Sequence, residues 1–186
     1  MLSNAYERES LLDQLPQTLK SAANLKLPKA PKAIANAVSA SLLVAEIEAI
    51  KQANAQLLSS RNYEVYLAKA NAIPNILQEI GRQREETFRA IGEGTNKAVD
   101  LDAFDHYYHH LFLWDNEAQK IVGAYRMGFG SEIYAQKGID GFYLQDLFRF
   151  EPELHELMSQ SIEMGRAYIV ADYQQKPMPL FLLWKG

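Results

Sequence analysis

Three consecutive stretches decide the fold: His109-His-Leu-Phe-Leu-Trp114, then Asp115-Asn-Glu-Ala-Gln-Lys120, then Ile121-Val-Gly-Ala-Tyr-Arg-Met127. Two apolar runs of strand length flank one polar segment, the pattern of an antiparallel hairpin. Upstream, Tyr63-Glu-Val-Tyr-Leu-Ala68 alternates like a further strand. Pro74 suits a helix start, and the helix it opens runs to about Ala90 with Ile76, Ile80 and Phe88 on one face. Gly92 and Gly94 end it. Residues 37–59 read as another helix, with Leu43, Ile47, Ile50 and Leu57 at helical spacing. Downstream, Tyr143–Phe150 is a third candidate strand and Pro152–Ser159 a short helix. Met164–Ala171 reads as an apolar strand, and Leu180–Trp184 as the start of a buried helix or strand. The order predicts an α+β fold: a mixed, mostly antiparallel sheet flanked by helices.

The chain has 186 residues, 48% of them hydrophobic, so it can fill a core and is not wholly disordered. Nineteen basic and 23 acidic side chains give a net charge of −4, unlike a general nucleic-acid binder. There is no cysteine, which excludes disulfides, thiolate metal sites and a cysteine nucleophile, and fits a reducing compartment. The polar N-terminus is not a signal peptide, and no apolar run reaches the ~18 residues of a membrane span. Between Asp13 and Glu46 nothing is acidic, while Lys20, Lys26, Lys29 and Lys32 alternate with Pro28 and Pro31. Residues 1–35 therefore read as a solvated tether, with weak contact to anionic lipid or an acidic partner as the functional alternative. Together with the first helix they form a predicted appendage over 1–60, with the main domain over 61–186. The apolar run that stops at Lys185-Gly186 is expected to continue, so that domain reads as truncated.

The informative residues are charges in apolar settings. Arg84 falls on one helix face between Ile80 and Phe88. Arg126 lies inside an apolar strand, on the face of Val122 and Ala124. Glu163 and Arg166 open the last strand beside Gly165. Strict alternation puts them on opposite faces, unless a bulge at Gly165 intervenes. A buried guanidinium needs a carboxylate or a ligand. Asp100-Leu-Asp102-Ala-Phe104-Asp105 supplies carboxylates just before the hairpin, so pairing with Asp102 or Asp105 is expected. Whether such pairs serve a site or only the fold stays open at this level.

Two other signals are weak. His110-Leu-Phe-Leu-Trp-Asp115 matches the His-x4-Asp of glycerolipid acyltransferases. However, Glu93-Gly94-Thr95 precedes the histidine instead of following it, and Asn96 replaces the arginine. Among His106, His109 and His110, adjacent strand histidines would point to opposite faces, and no cysteine supports them, so no metal site is expected. No nucleophile elbow, P-loop or Rossmann fingerprint is present.

Taken together, Arg84-Glu-Glu-Thr-Phe88 through Gly94-Thr95, Asp100 to Asp105, His110 to Asp115, Val122 to Arg126 and Glu163-Met-Gly-Arg166 resemble one family. It is the N-acyltransferases of ornithine- and glycine-lipid synthesis, often labelled haemolysins. They are GNAT-like and distantly related to acyl-homoserine-lactone synthases. The resemblance spans about residues 60–186. It implies that Arg84 and Phe88 flank the acyl-donor cleft, and that Asp102 and Asp105 belong to the acceptor side. It implies that Arg126 lies in the central strand, with Glu163 and Arg166 beside the thioester. Amine attack on a thioester needs a base, for which Glu163 is the first choice and Asp102 or Asp105 the alternates. Arg126 and Arg166 would hold the acceptor's carboxylate or pair with Asp102 and Glu163. Phe88, Phe104, Tyr125 and Tyr168 are candidates for the acyl slot. The expected co-substrate is an acyl-carrier-protein or acyl-CoA thioester, with no permanent cofactor. Expected partners are acyl carrier protein, an amino-acid acceptor, the membrane surface and a fused or separate glycerolipid-acyltransferase domain. The expected location is cytoplasmic, peripheral at the inner membrane face. A catalytically incomplete module that binds lipid or carrier protein, and an acetyl-CoA-dependent N-acetyltransferase, are the alternatives.

Overall fold

The computed structural model describes residues 30–186, of which Lys32–Gly186 form one compact unit. Most of the predicted tether therefore lies outside the described residues. The compact unit contains helix α1 (Ala40–Gln52), strands β1 (Gln56–Ser60) and β2 (Tyr63–Lys69), helix α2 (Pro74–Ala90) and strands β3 (His109–Asp115) and β4 (Lys120–Phe129). Helices α3 (Gly130–Lys137) and α4 (His155–Ser159), strand β5 (Ile162–Ile169) and helix α5 (Pro177–Lys185) follow. The five strands form one antiparallel sheet in the order β1-β2-β3-β4-β5. This is the α+β class expected, with helices on both faces.

The boundary expected at residue 60 moves to the start of this unit. Leu43, Ile47 and Ile50 of α1 are buried in the main core, and β1 pairs with β2. The helix is shorter than the 37–59 span expected, because Leu57 continues the apolar spacing beyond the helix end. The helix ends where Asn54 takes φ +60, and the chain turns into a strand. One face of the sheet carries α1 and α2: Ile76 and Ile80 pack with Tyr66, Phe112, Trp114, Ala124 and Tyr168. The other carries α5, whose Leu182 and Leu183 cover Val65, Leu111, Leu113 and Val122. Arg126 therefore shares a face with Ala124 but not with Val122. A register shift opposite Leu113 and Trp114 moves Val122 across the sheet.

No side chain of its own caps α2. Glu46 of α1 instead accepts from the backbone N–H groups of Asn75 and Ile76, both at 2.8 Å. A carboxylate there satisfies orphan donors and meets the positive end of the helix dipole. Tyr143–Phe150 is not a strand. Tyr143–Asp146 is a 3-10 turn, because the backbone N–H groups of Tyr143 and Leu144 donate to the Glu163 carboxylate. Those donors are then unavailable to a ladder. Helix α3 is not expected from sequence.

The feature that positions the site is the junction of β4 and β5. Ala124 pairs with Tyr168 and Arg126 with Gly165, so β5 carries an extra residue. The residue that absorbs it is Arg166, at φ +53, and not the expected Gly165. A non-glycine residue in this region costs about 1–3 kcal/mol and persists only where its surroundings enforce it. The shift brings Glu163, Gly165 and Arg166 to the α2 side of the sheet together.

Candidate active site

Burying arginine on α2 is stable only if acids meet it, and here they come from the loop after that helix. Arg84 is 1% exposed. Its Nη1 donates to Asp105 Oδ1 at 2.7 Å and its Nε to Asp100 Oδ2 at 3.2 Å. Burial disfavours its charge, but Asp105 and Asp100 outweigh that and hold its pKa above the ordinary value. Arg126 donates from Nη1 to Asp102 Oδ1 at 2.7 Å and lies 3.5 Å from Asp105. Its guanidinium stands 5.0, 5.3 and 5.5 Å from the ring centres of Tyr143, Tyr108 and Phe104, an aromatic surround that favours a cation. Arg166 reaches Asp102 at 3.5 Å and Asp100 at 3.6 Å, and Tyr143 lies 5.6 Å from its guanidinium.

Three arginines and three aspartates thus interlock. The acids are held by their own turn: Asp105 Oδ2 accepts from the Asp102 N–H at 2.8 Å, and Asp102 Oδ1 from the Phe104 N–H at 2.9 Å. Burial pushes the Asp102 pKa up, but Arg126 and the backbone donors more than reverse this, leaving it below the ordinary carboxylate value. Beneath the turn, His110 Nε2 lies 2.9 Å from the carbonyl oxygen of Asp105. That nitrogen must carry the proton, because a carbonyl only accepts. Nδ1 is buried with no partner among the described residues. Burial lowers the pKa of His110, so the ring is neutral at pH 7.

Glu163 is buried and tied to three donors: the Tyr108 hydroxyl, the Tyr143 N–H at 3.1 Å and the Leu144 N–H at 2.8 Å. Burial, then the bond to Glu163, keep Tyr108 protonated. Glu163 lines a recess of about 100 Å³ with Tyr108, Arg126, Tyr143 and Gly165. A cleft of about 320 Å³ shares Arg126, Tyr143 and Gly165 with that recess, and is completed by Phe88, Glu93, Arg166 and Ala167.

The structure therefore brings Arg84, Asp102, Asp105, Arg126 and Arg166 into one cluster, with Glu163 on the adjoining recess and Phe88 in the cleft wall. The four proposed acyl-slot aromatics do not converge. Phe104 belongs to the cage around Arg126. Tyr168 is in the core, its hydroxyl donating to Gln83 Oε1 at 2.9 Å. Tyr125 lines a separate cavity of about 200 Å³ with Ala167, Leu180 and Leu183, which Tyr168 also borders. Asp100, Tyr108, Tyr143 and Glu93 are site residues that the sequence alone does not single out. For Asp100 a signal exists, since it opens the acidic run; Tyr143 sits in a stretch whose composition imitates a strand.

Similarity to known proteins bears on what such a cleft does. The description "Acetyltransferase (GNAT) domain" matches residues 83–184. The chain belongs to the GNAT acetyltransferase family. The chain is also similar to two proteins named glycine N(alpha)-acyltransferase. The one from Bacteroides thetaiotaomicron is 33% identical over 142 residues, 74% of this chain and 42% of that protein. The one from Phocaeicola vulgatus is 34% identical over 142 residues, 74% of this chain and 43% of that protein. The chain thus spans about two-fifths of the length of these relatives. No solved structure matches. Among the described residues no helix is long and apolar enough to cross a membrane.

Proposed function

We propose that this chain carries an N-acyltransferase site that moves an acyl group from a thioester to the amine of a small amino acid. Glycine is the first acceptor to test, because the two relatives are named for it. The observation that carries the reading is a cleft with two arginines in its wall at the bulge of β5. Outside β5 no further strand pairs among the described residues, so a thioester can lie along that open edge.

In the proposed reaction the amine nitrogen attacks the thioester carbonyl. The C–N bond forms, the C–S bond breaks, the nitrogen loses a proton and the thiolate leaves. Glu163 is the proposed base, since its carboxylate lines the recess beside the cleft. Asp105 is fully buried and paired, and Asp102 is held ionised by Arg126, which leaves both better suited to fixing the arginines. Backbone N–H groups at the bulge are the proposed oxyanion donors. Arg166, whose guanidinium makes only long ion pairs among the described residues, is the proposed receptor for the acceptor's carboxylate. A fatty acyl group carried on acyl carrier protein, and a product in the ornithine- or glycine-lipid class, are the finer form of the proposal.

The test is thiol release from acyl thioesters of carrier protein and of CoA, with and without glycine and ornithine. Release that depends on the amine and prefers a long acyl chain supports the reading. A two-carbon preference points to acetyl transfer, and thioester binding without release points to a binding module. Glu163→Gln should fold and lose roughly 100-fold or more in turnover, the usual scale of acid–base catalysis. Full activity in that variant removes Glu163 from the base role.

A further inference from the structure

The acids expected to serve the site are all engaged by arginines or backbone donors, yet one carboxylate in the cleft wall is not. Glu93, an exposed residue, lines the cleft with Arg126 and Arg166, and its side chain makes no hydrogen bond or ion pair among the described residues. We propose that Glu93 receives the ammonium group of the acceptor, which gives up one proton to solvent by way of Glu93 before attack and a second to Glu163 as the C–N bond forms and the thiolate leaves; the cleft that Glu93 and Arg166 both line is then a receptor for a zwitterionic amino acid. This rests on the acyl-transfer reading above.

The loop that presents Glu93 is built, not merely exposed. Gly92 takes φ +82, a conformation suited to glycine. The Glu93 N–H donates to the Phe88 carbonyl at 2.8 Å, which locks the turn to the end of α2. At Gly94 a Cβ would fall 2.8 Å from the Cα of Arg89, so only glycine lets the chain pass so close to the helix. Beyond it, the fully buried Glu85 accepts from the Thr95 N–H and Asn96 N–H, both at 2.9 Å, and from the Thr95 hydroxyl at 2.5 Å. The adjacent cation, Arg89, is not available to Glu93. It donates to Glu85 at 2.7 Å and to the carbonyls of Lys32 and Lys97 at 2.8 and 2.7 Å. The turn thus holds an unpaired, exposed carboxylate at the cleft, while the neighbouring Glu85 and Arg89 are satisfied elsewhere.

Charge balance points the same way. The three arginines and three aspartates of the cluster cancel, so they offer no net attraction to an ammonium. Glu163 faces the adjoining recess, and Glu93 supplies a negative pole in the wall of the cleft itself. Glu93 is exposed, so its contact is screened by solvent and its loss should weaken ammonium binding roughly 2- to 5-fold.

The experiment compares the unmodified chain, Glu93→Gln and the control Glu153→Gln, an exposed acid outside the cleft. Amine-dependent thiol release is measured against glycine and against glycinamide, which keeps the ammonium and lacks the carboxylate. Expected for Glu93→Gln is a roughly 2- to 5-fold higher KM for both acceptors, an unchanged KM for the thioester and an unchanged melting temperature. Glu153→Gln should match the unmodified chain. An unchanged glycine KM in Glu93→Gln overturns the proposal while leaving acyl transfer intact. If the unmodified chain releases no thiol with any amine, the acyl-transfer reading fails and binding decides. Glycine detected on the unmodified chain by saturation-transfer NMR and lost in Glu93→Gln supports the receptor. Equal binding by both, or binding by neither, overturns it.

Discussion

Replacing Arg84 by methionine keeps the aliphatic stem and removes the guanidinium. Two acids are then stranded: Asp105, fully buried, loses its 2.7 Å partner, and Asp100, 2% exposed, loses its 3.2 Å partner. Removing one member of a buried pair costs about 3–5 kcal/mol, chiefly because the remaining charge is left uncompensated. The cluster softens this, since Asp105 retains Arg126 at 3.5 Å and Asp100 retains Arg166 at 3.6 Å. The expected loss is therefore about 3 kcal/mol, the low end. For a unit of this size that lowers the melting temperature by roughly 6–12 °C. Urea denaturation of Arg84→Met, Asp105→Asn and the double variant closes a mutant cycle. If the pair is what matters, the double variant should lose at least about 1 kcal/mol less than the sum of the singles. A loss below about 1 kcal/mol in Arg84→Met, or strict additivity, would refute the claim that these charges stabilise one another inside the fold.

His110 has a lowered pKa in the folded chain and an ordinary one, near 6.5, when unfolded. Below that pH the unfolded state binds more protons, so stability is full above about pH 6.5 and falls as the pH drops. His109 shifts the same way, for the same reason of burial. His110→Gln keeps a donor for the Asp105 carbonyl and should flatten, without abolishing, the loss of stability between about pH 7 and 5; an identical slope by urea titration counts against it. At Gly123 a Cβ would lie 2.5 Å from the Tyr168 carbonyl oxygen of β5. Gly123→Ala should prise β4 from β5 and cost about 1–3 kcal/mol, read by thermal melting. Glu46→Ala removes the acceptor for two N–H groups of α2 and should cost about 1–2 kcal/mol in the same assay, a neutral result meaning that solvent replaces it.

The hairpin is legible in the sequence because both its strands are buried and its turn is polar, so composition and position agree. The second helix is legible because Pro74, Ile76 and Ile80 obey one spacing. Arg84 stands out since a guanidinium on that stripe has to be paired. What sequence cannot supply is register. Val122 crosses the sheet through a shift opposite Leu113, and Arg166 joins Glu163 on one face through another. Neither shift leaves a mark in the alternation, and the second is absorbed by an arginine beside a glycine that looks the better choice. Tyr143 and Leu144 imitate a strand for a related reason: a side chain 19 to 20 residues away takes their N–H groups. Glu93 resembles the debris of another enzyme's motif, and only the cleft shows where it stands.

Arg166 separates what the fold wants from what the site wants. Its φ of +53 disfavours a side chain, and glycine would relieve about 1 kcal/mol of strain. Its acids would not be orphaned, since Asp100 stays with Arg84 at 3.2 Å and Asp102 with Arg126 at 2.7 Å. The ion pairs lost are the long ones, at 3.5 and 3.6 Å, with a quarter of the side chain exposed. Such pairs are worth about 0–1 kcal/mol. Arg166→Gly should therefore melt within about 1 kcal/mol of the unmodified chain, while losing glycine-dependent thiol release. A collapse in stability would make Arg166 a structural strut. Undiminished release would show that evolution tolerates the strain for some purpose other than holding the acceptor.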